Sequence, residues 1–452
     1  MDVRTLKRVY FVGIGGIGMS ALARYFRQQG VSVSGYDRTE TELTKQLVSE
    51  GISIHYADDI TLADKGAELV VYTPAIPASH AELNWYRDNK YPVYKRSDVL
   101  QWITDALFAV TVAGTHGKTT ISTTIGYLLR ETGYGCNAFL GGISVNYNSN
   151  YWSSGNETAV IEADEYDRSF LKLHPDIAVL TAMDADHLDI YGTVEEMEAA
   201  FIQYTKNIKP GGTLIAKHGL KRSKELVASN ILTYSLQNDA ADVYGNNIVQ
   251  KDGGYIFDVV AKDWTVENIQ LPIGGMHNVE NAIVATTVAQ LLKIDAAKVK
   301  NAFAGFKGIK RRFEYIVKND RVVYIDDYAH HPEELAALIG SAKRLFAGRK
   351  CVVAFQPHLF TRTRDFADGF AHSLDMADEV ILLDIYPARE LPITGVSTQM
   401  IADRMTNKSH TILSKEGLLE YVRTAPLDML ITAGAGDIDK LVSPIKKILE
   451  NK

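Results

Sequence analysis

The stretch LFAVTVAGTHGKTTISTT, residues 107–124, constrains this chain more than any other. Residues 108–112 are apolar and β-branched, the composition of a parallel strand buried on both faces. The run breaks at Gly114, and Gly117-Lys118-Thr119-Thr120 opens a helix that continues towards Arg130. Strand, Gly-rich turn and helix in that order make a phosphate cradle. Backbone N–H groups and the helix N-terminus face the anion, Lys118 reaches the outer phosphates, and the Thr119 hydroxyl can ligate Mg²⁺. The turn is shorter than G-x-x-x-x-G-K-[ST], because Val112 stands five positions before Gly117. A chance Gly-Lys-Thr would lack the strand before it and the helix after it. The expectation is a nucleoside triphosphate site spanning Gly114, Thr115, His116, Gly117, Lys118, Thr119 and Thr120 in an α/β fold.

A chain of 452 residues has room for about three domains with cores of their own. Its net charge of −7 is spread without a basic block, which argues against nucleic acid as a partner. The two cysteines, Cys136 and Cys351, lack metal-ligand spacing and suit a reducing compartment. No signal peptide precedes the first strand and no apolar run approaches a membrane span. The expected location is the cytoplasm.

In the first segment, strand Arg8–Val12 precedes GIGGIGMSALA, with a helix expected over 19–29 and a second strand over 31–36 ending at Asp37. Gly13, Gly15 and Gly18 satisfy G-x-G-x-x-G, and Asp37 stands where a dinucleotide fold places its ribose carboxylate. Read literally this is NAD binding, yet a Gly-rich turn at a helix N-terminus holds any diphosphate, including that of a UDP-sugar. Strands over 52–55 and Leu69–Tyr72 continue the alternation, and Thr73-Pro74 follows at a strand's C-terminal end. A helix around 97–103 leads to a domain boundary near Ala106.

The middle segment carries EADEYD, residues 162–167, after an apolar strand. Glu162, the first acid there, is the leading candidate to hold Mg²⁺ opposite the phosphate cradle. A strand at Ile177–Leu180 precedes DADHLDIYG, in which His187 is either a metal ligand or a hydrogen-bonded loop residue. Residues 213–271 are β-rich, with a hairpin turn at Asp252-Gly253-Gly254. Asn278 and Asn281, three apart on a helix expected over 279–292, share a face that suits an adenine edge or a helix cap. A helix over 297–303 and the hinge-like GFKG bring the domain to an end near Ile309.

The last segment opens KRRFE and alternates strands over 322–325, Cys351–Phe355, 379–383 and Met429–Ala433 with helices. Three strand ends carry polar clusters: DDYAHHP, QPHLFTRTRD and GAGD. Ligands of doubly wound sheets bind at those ends.

GTHGKTT, EADEYDRSF, DHLDIYG, GMHNVENA, RRFE, DDYAHHP, FQPHLFTRTRD, IYPARELPITGVS and TAGAGDID occur in this order over nearly the whole chain. In that set and order the chain resembles the Mur ligases. The resemblance implies three domains, 1–106, 107–309 and 310–452: a Rossmann-like domain for a UDP-sugar, a P-loop domain for ATP, and a Rossmann-like α/β domain for an amino acid. It further implies ATP-dependent joining of L-alanine to the carboxylate of UDP-N-acetylmuramate through an acyl phosphate. Carried over by motif, the UDP-sugar falls to Gly13, Gly15, Gly16, Gly18, Asp37 and Thr73. Lys118 clamps phosphate, Thr119 and Glu162 serve one Mg²⁺, and His187 serves a second. Asn278 and Asn281 match the adenine side. Arg312 and Asp327 would reach the nucleotide on domain closure, and Tyr328, His330 and Arg362 would position alanine.

Two departures stand out. Tyr166 and Arg168 vary a block that often carries smaller residues, and His80 replaces a common asparagine. Sister ligases also bridge toward the second metal with a carbamylated lysine beyond the DH motif. Here that neighbourhood reads Glu198 to Tyr204 with no lysine until Lys206, which should face solvent. Alternatives are a ligase that attaches a recycled tripeptide to the same UDP-sugar, an NAD oxidoreductase and a P-loop switch protein. No partner beyond small molecules is expected, for a monomer or weak homodimer.

Overall fold

The computed structural model describes residues 3–185, 188–388 and 390–452. It holds two compact units: residues 1–246, 258–269 and 280–303, and residues 247–257, 270–279 and 304–452.

In the first unit, β1 (Arg8–Val12), β2 (Ser32–Tyr36), β3 (Ser53–His55), β4 (Leu69–Tyr72) and β5 (Val93–Lys95) form a parallel sheet in the order β3-β2-β1-β4-β5. Val9, Tyr10, Phe11 and Val12 are fully buried, as a central parallel strand requires. The chain leaves β1 for β2 on one side and returns to β4 on the other. That reversal opens a crevice at the C-terminal strand ends, where GIGGIGMS lies. The helix starts at Ile17, two residues earlier than its expected start at Met19. Gly18 lies in the helix, and a Cβ there would sit 2.9 Å from the Arg96 guanidinium.

The second sheet comprises β6 (Phe108–Ala113), β7 (Asn137–Ser144), β8 (Ser149–Ser153), β9 (Thr158–Glu162), β10 (Ile177–Leu180), β11 (Thr213–Lys217), β12 (Asn230–Ser235), β13 (Val243–Lys251), β14 (Gly254–Ala261) and β15 (Thr265–Leu271). Their order is β15-β14-β13-β12-β11-β10-β6-β9-β7-β8. Register decides what meets at its edge. Val112 pairs with Glu162, and Ala113 pairs with Leu180, so the loops after β6, β9 and β10 emerge side by side.

The helix Ile17–Gln28 ties the two sheets together. Tyr25 packs on Phe139 and Tyr151, with ring centroids 5.3 and 6.2 Å away. Arg24, almost wholly buried, pairs with Glu50 at 2.8 Å and donates to Asn150, whose amide donates to Ser20 Oγ at 2.9 Å. A buried guanidinium is tolerated because each partner is in place. One apolar cluster accordingly runs from Phe11 and Phe26 to Phe139 and Phe170.

In the second unit, β16 (Glu314–Lys318), β17 (Val323–Asp327), β18 (Cys351–Phe355), β19 (Glu379–Leu382), β20 (His410–Ile412) and β21 (Met429–Ala433) take the order β16-β17-β21-β18-β19-β20. Asp327 and Phe355 both pair with Ala433, so three polar strand ends leave the sheet level with one another. The expected hairpin turn forms at Asp252 and Gly253, with φ of +48° and +70°, the left-handed pair a tight two-residue turn needs. Its tip belongs to this unit: Tyr315 Oη donates to the Gly253 carbonyl at 2.6 Å. Among the described residues no helix is long and apolar enough to cross a membrane.

Candidate active site

The phosphate loop is held from both sides by its neighbours. Gly114 has φ +120°, and a Cβ there would fall 2.2 Å from Thr181 Oγ1. No other residue fits. Thr181 Oγ1 donates to the His116 carbonyl at 2.5 Å, Thr115 N–H donates to the Ala182 carbonyl at 3.3 Å, and the Asp184 N–H reaches Thr115 Oγ1. His116 and Asp184, both exposed, approach to 3.3 Å. Gly117 is left-handed at φ +78° and starts the helix Lys118–Glu131. A Cβ on Gly117 would stand 3.0 Å from Asn281 Oδ1, so that asparagine lies against the loop.

Lys118 Nζ donates to the Gly114 carbonyl at 2.9 Å and to Glu165 Oε1 at 2.7 Å. The Lys118 side chain is 14% exposed and that of Glu165 1%. The Tyr191 hydroxyl donates to the Glu165 carbonyl at 2.7 Å, and burial pushes that phenol up to about 12. Thr119 Oγ1 donates to Glu162 Oε1 at 3.0 Å, and Gly141 N–H donates to Glu162 Oε2 at 3.0 Å.

This pair fits a magnesium ion. Neighbouring ligands of an octahedral Mg²⁺, each at 2.0–2.1 Å, stand about 2.9 Å apart, close to the 3.0 Å between these oxygens. Both are hard oxygens, and the Gly141 N–H orients the carboxylate from behind. Among the described residues no cluster of three or more His, Cys, Asp or Glu could hold a metal. His187 lies outside the described residues, as does Asp186.

At the other crevice, Gly13 at φ +86° and Ile14 donate to the Tyr36 carbonyl, and the Thr73 methyl abuts Gly13. Gly15 N–H donates to Asp37 Oδ2 at 2.7 Å, so Asp37 braces the glycine turn. Gly16 caps the start of the helix with extended backbone, and a Cβ there would make ordinary contacts with the Gly13 carbonyl and Met19. His80 is buried and accepts from the Leu83 N–H, capping the helix Ala81–Asp88 as asparagine would.

In the second unit, the KRRF turn is pinned to two strand ends. Arg311 pairs with buried Asp326 at 3.2 Å and donates to the Gly434 carbonyl, while its own carbonyl accepts from the Tyr328 N–H at 2.7 Å. Thr432 Oγ1 donates to Asp326 Oδ1 at 2.6 Å. Asp327 accepts from the N–H groups of Phe313 at 2.6 Å and Ala329 at 2.7 Å. Burial nevertheless raises its carboxyl to about 6, with Arg312 opposing. Arg312 acts on Asp327 and on His277, which is exposed yet has its pKa held below the ordinary value by desolvation first and Arg312 second.

His330 Nδ1 stands 3.0 Å from the Tyr328 carbonyl, so it carries the proton and leaves Nε2 as an acceptor. Burial holds the His330 pKa below its ordinary value, with Arg362 adding to the effect and Glu334 opposing it. His358 is lowered by the same two causes, burial first. Arg362, on the helix Phe360–Leu374, thus faces both imidazoles electrostatically. Asn278 donates to the Gly274 carbonyl at 2.6 Å.

The structure brings together the loop, Glu162 and Asn281 in one unit, and in the other Arg312, Asp327, Tyr328 and His330 at a strand end and Arg362 on the first turn of the helix Phe360–Leu374. Glu165, Gly141 and Arg311 were not singled out from sequence. Glu165 sits inside EADEYD, where Glu162 drew attention first; nothing in the sequence marks Gly141.

Most of the chain matches a succession of family models: the Mur ligase family catalytic domain over residues 8–107, the Mur ligase middle domain over 112–289, and the Mur ligase glutamate ligase domain over 311–436. The chain belongs to the Mur ligase family. Among Mur ligases, the UDP-N-acetylmuramate–L-alanine ligase of Flavobacterium johnsoniae is 46% identical over 453 residues, covering 99% of both chains. The crystal structure of UDP-N-acetylmuramate-alanine ligase MurC from Thermotoga maritima superposes with a TM-score of 0.82 at 27% identity, over 98% of each chain. A murein peptide ligase from Psychrobacter arcticus shares the fold, with a TM-score of 0.67 at 22% identity and 99% of each chain covered.

Proposed function

We infer that this Mur ligase joins L-alanine to the carboxylate of UDP-N-acetylmuramate, consuming ATP and releasing ADP and phosphate. The observation that carries this is full-length identity of 46% with a ligase of that name. The product is a peptidoglycan precursor, and the substrates imply a cytoplasmic enzyme.

A carboxylate does not react with an amine at neutral pH, because oxide is a poor leaving group. The carboxylate oxygen therefore attacks the γ-phosphorus, and the bond to the β,γ-bridging oxygen breaks, giving acyl phosphate and ADP. The alanine nitrogen then attacks the acyl carbon and inorganic phosphate leaves. Two anions must approach each other in the first step, so preorganised cations lower its barrier. Lys118 and the N–H groups of the GTHGKTT turn supply that field. A Mg²⁺ held by Thr119 and Glu162, with His187 for a second ion, would neutralise charge on the phosphates. Asn278 and Asn281 serve adenine, and the glycine turn with Thr73 serves the UDP-sugar.

The alanine ammonium must lose a proton before it attacks. His330 is suited to accept that proton. Its Nδ1–H is committed to the Tyr328 carbonyl and its pKa is held low, so Nε2 is a free base at neutral pH. Arg362 would take the alanine carboxylate in two parallel hydrogen bonds, a geometry that lysine cannot copy.

ADP release measured with UDP-N-acetylmuramate against a panel of amino acids and the tripeptide tests the reading. L-Alanine should be preferred; a preference for the tripeptide would overturn it. Arg362→Ala should raise the KM for alanine far more than those for ATP and the UDP-sugar. Equal losses for all three would remove Arg362 from the alanine site.

A further inference from the structure

Resting on the phosphate role of Lys118 given above, the geometry points to Glu165 as a positioning residue for that lysine. A lysine at the start of a helix has four rotatable bonds and three equivalent donors, so its ammonium is not fixed by the backbone alone. Here two acceptors fix it, the Gly114 carbonyl at 2.9 Å and Glu165 Oε1 at 2.7 Å. With two of three N–H directions taken, tetrahedral geometry sets the third. Glu165 is itself enclosed. Its side chain is 1% exposed, and its carbonyl accepts from Tyr191 Oη at 2.7 Å and from the Arg168 N–H at 3.0 Å. Tyr191 is 1% exposed and lies in the DHLDIYG motif, so Glu165 joins that part of the motif to the phosphate loop.

A salt bridge kept only for folding would cost stability when broken and leave the chemistry of the surviving enzyme intact. A positioning role acts through Lys118. Misplacing a catalytic group by about 1 Å costs on the order of a hundredfold in rate. Glu165→Ala should accordingly lower kcat by roughly 10- to 100-fold, with little change in the KM for the UDP-sugar. Glu165→Gln keeps the volume and an acceptor oxygen at the same reach and should recover part of the loss. Glu165→Asp is one methylene too short and should not.

The deciding experiment is a double-mutant cycle with Lys118→Met, read as affinity for a non-hydrolysable ATP analogue by calorimetry and as kcat. If Glu165 works through Lys118, Glu165→Gln should change neither quantity once Lys118 is methionine. Additive losses, or native kcat in both Glu165→Ala and Glu165→Gln, would overturn the proposal and leave the phosphate loop standing. Near-native turnover of Lys118→Met alone would instead sink the loop assignment. Should Glu165→Ala fail to fold, the Gln variant carries the cycle.

Discussion

Close to single atoms, the most demanding position is an exposed glycine. Gly141 N–H donates to Glu162 Oε2, and a methyl at this Cα would fall 2.2 Å from the same oxygen. Gly141→Ala should therefore push the Glu162 carboxylate away from Thr119 without opening the core. The expected result is a melting temperature near that of wild type, kcat lowered about 10- to 100-fold, and a higher Mg²⁺ concentration for half-maximal rate. Unchanged Mg²⁺ dependence would remove Glu162 from the ion. Asp327 makes a prediction in pH. Burial raises its pKa from 3.8 to about 6, so the folded chain holds that proton more tightly than the unfolded chain. The contribution is complete below about pH 4 and is lost as pH rises through about 6. Wild type should consequently lose roughly 3 kcal/mol relative to Asp327→Asn across that window. Melting temperatures of both proteins at about pH 4.5 and about pH 7 would show the gap moving in favour of the variant; a constant gap would contradict the buried titration.

At the level of elements, strands were legible because buried parallel strands read as unbroken apolar runs. Arg8–Val12, Leu69–Tyr72, Ile177–Leu180, Cys351–Phe355 and Met429–Ala433 appear with their expected bounds. Helix starts were less legible, since Gly18 reads as turn and yet lies in the helix Ile17–Gln28. The helix Val194–Thr205 carries a chemical expectation. Phe201 on it is fully buried in edge contact with Phe170, which stacks on Tyr204, both at 5.2 Å. Lys206 caps the helix and is exposed. Aromatic packing thus fills the stretch where sister ligases carry their carbamylated lysine. Initial rates in carbon-dioxide-free buffer should be the same with and without bicarbonate, and Lys206→Ala should match wild type. A bicarbonate dependence that disappears in Lys206→Ala would show that Lys206 carries a carbamate.

Over the whole molecule, the contact pattern groups the chain into two units, one holding the first sheet and the phosphate loop together. Their shared apolar cluster and the buried Arg24–Asn150 contact explain why residues on either side of Ala106 stay together. Two units, each with apolar clusters of its own, should unfold separately. Scanning calorimetry should give a van 't Hoff enthalpy below the calorimetric one, with an ATP analogue shifting the transitions unequally. A single two-state transition would show that the units fold as one.

The local chemistry of this chain was written in its residues: a Gly-rich turn between an apolar strand and a helix suits phosphate, and the acid that ends the buried strand beside it suits a metal ion. Nine motifs in order carried the family. Sequence patterns of period two and 3.6 report which residues are buried, but they do not report register. Register set Glu162 beside Val112 and Thr181 beside Gly114, and the pairing of β7 with β9 set Gly141 against the Glu162 carboxylate. The same long-range packing chose Glu165 over its acidic neighbours as the partner of Lys118 and drew the Asp252-Gly253 tip onto the second unit. Those contacts join residues far apart in the chain, and only the folded structure brings them within hydrogen-bond distance.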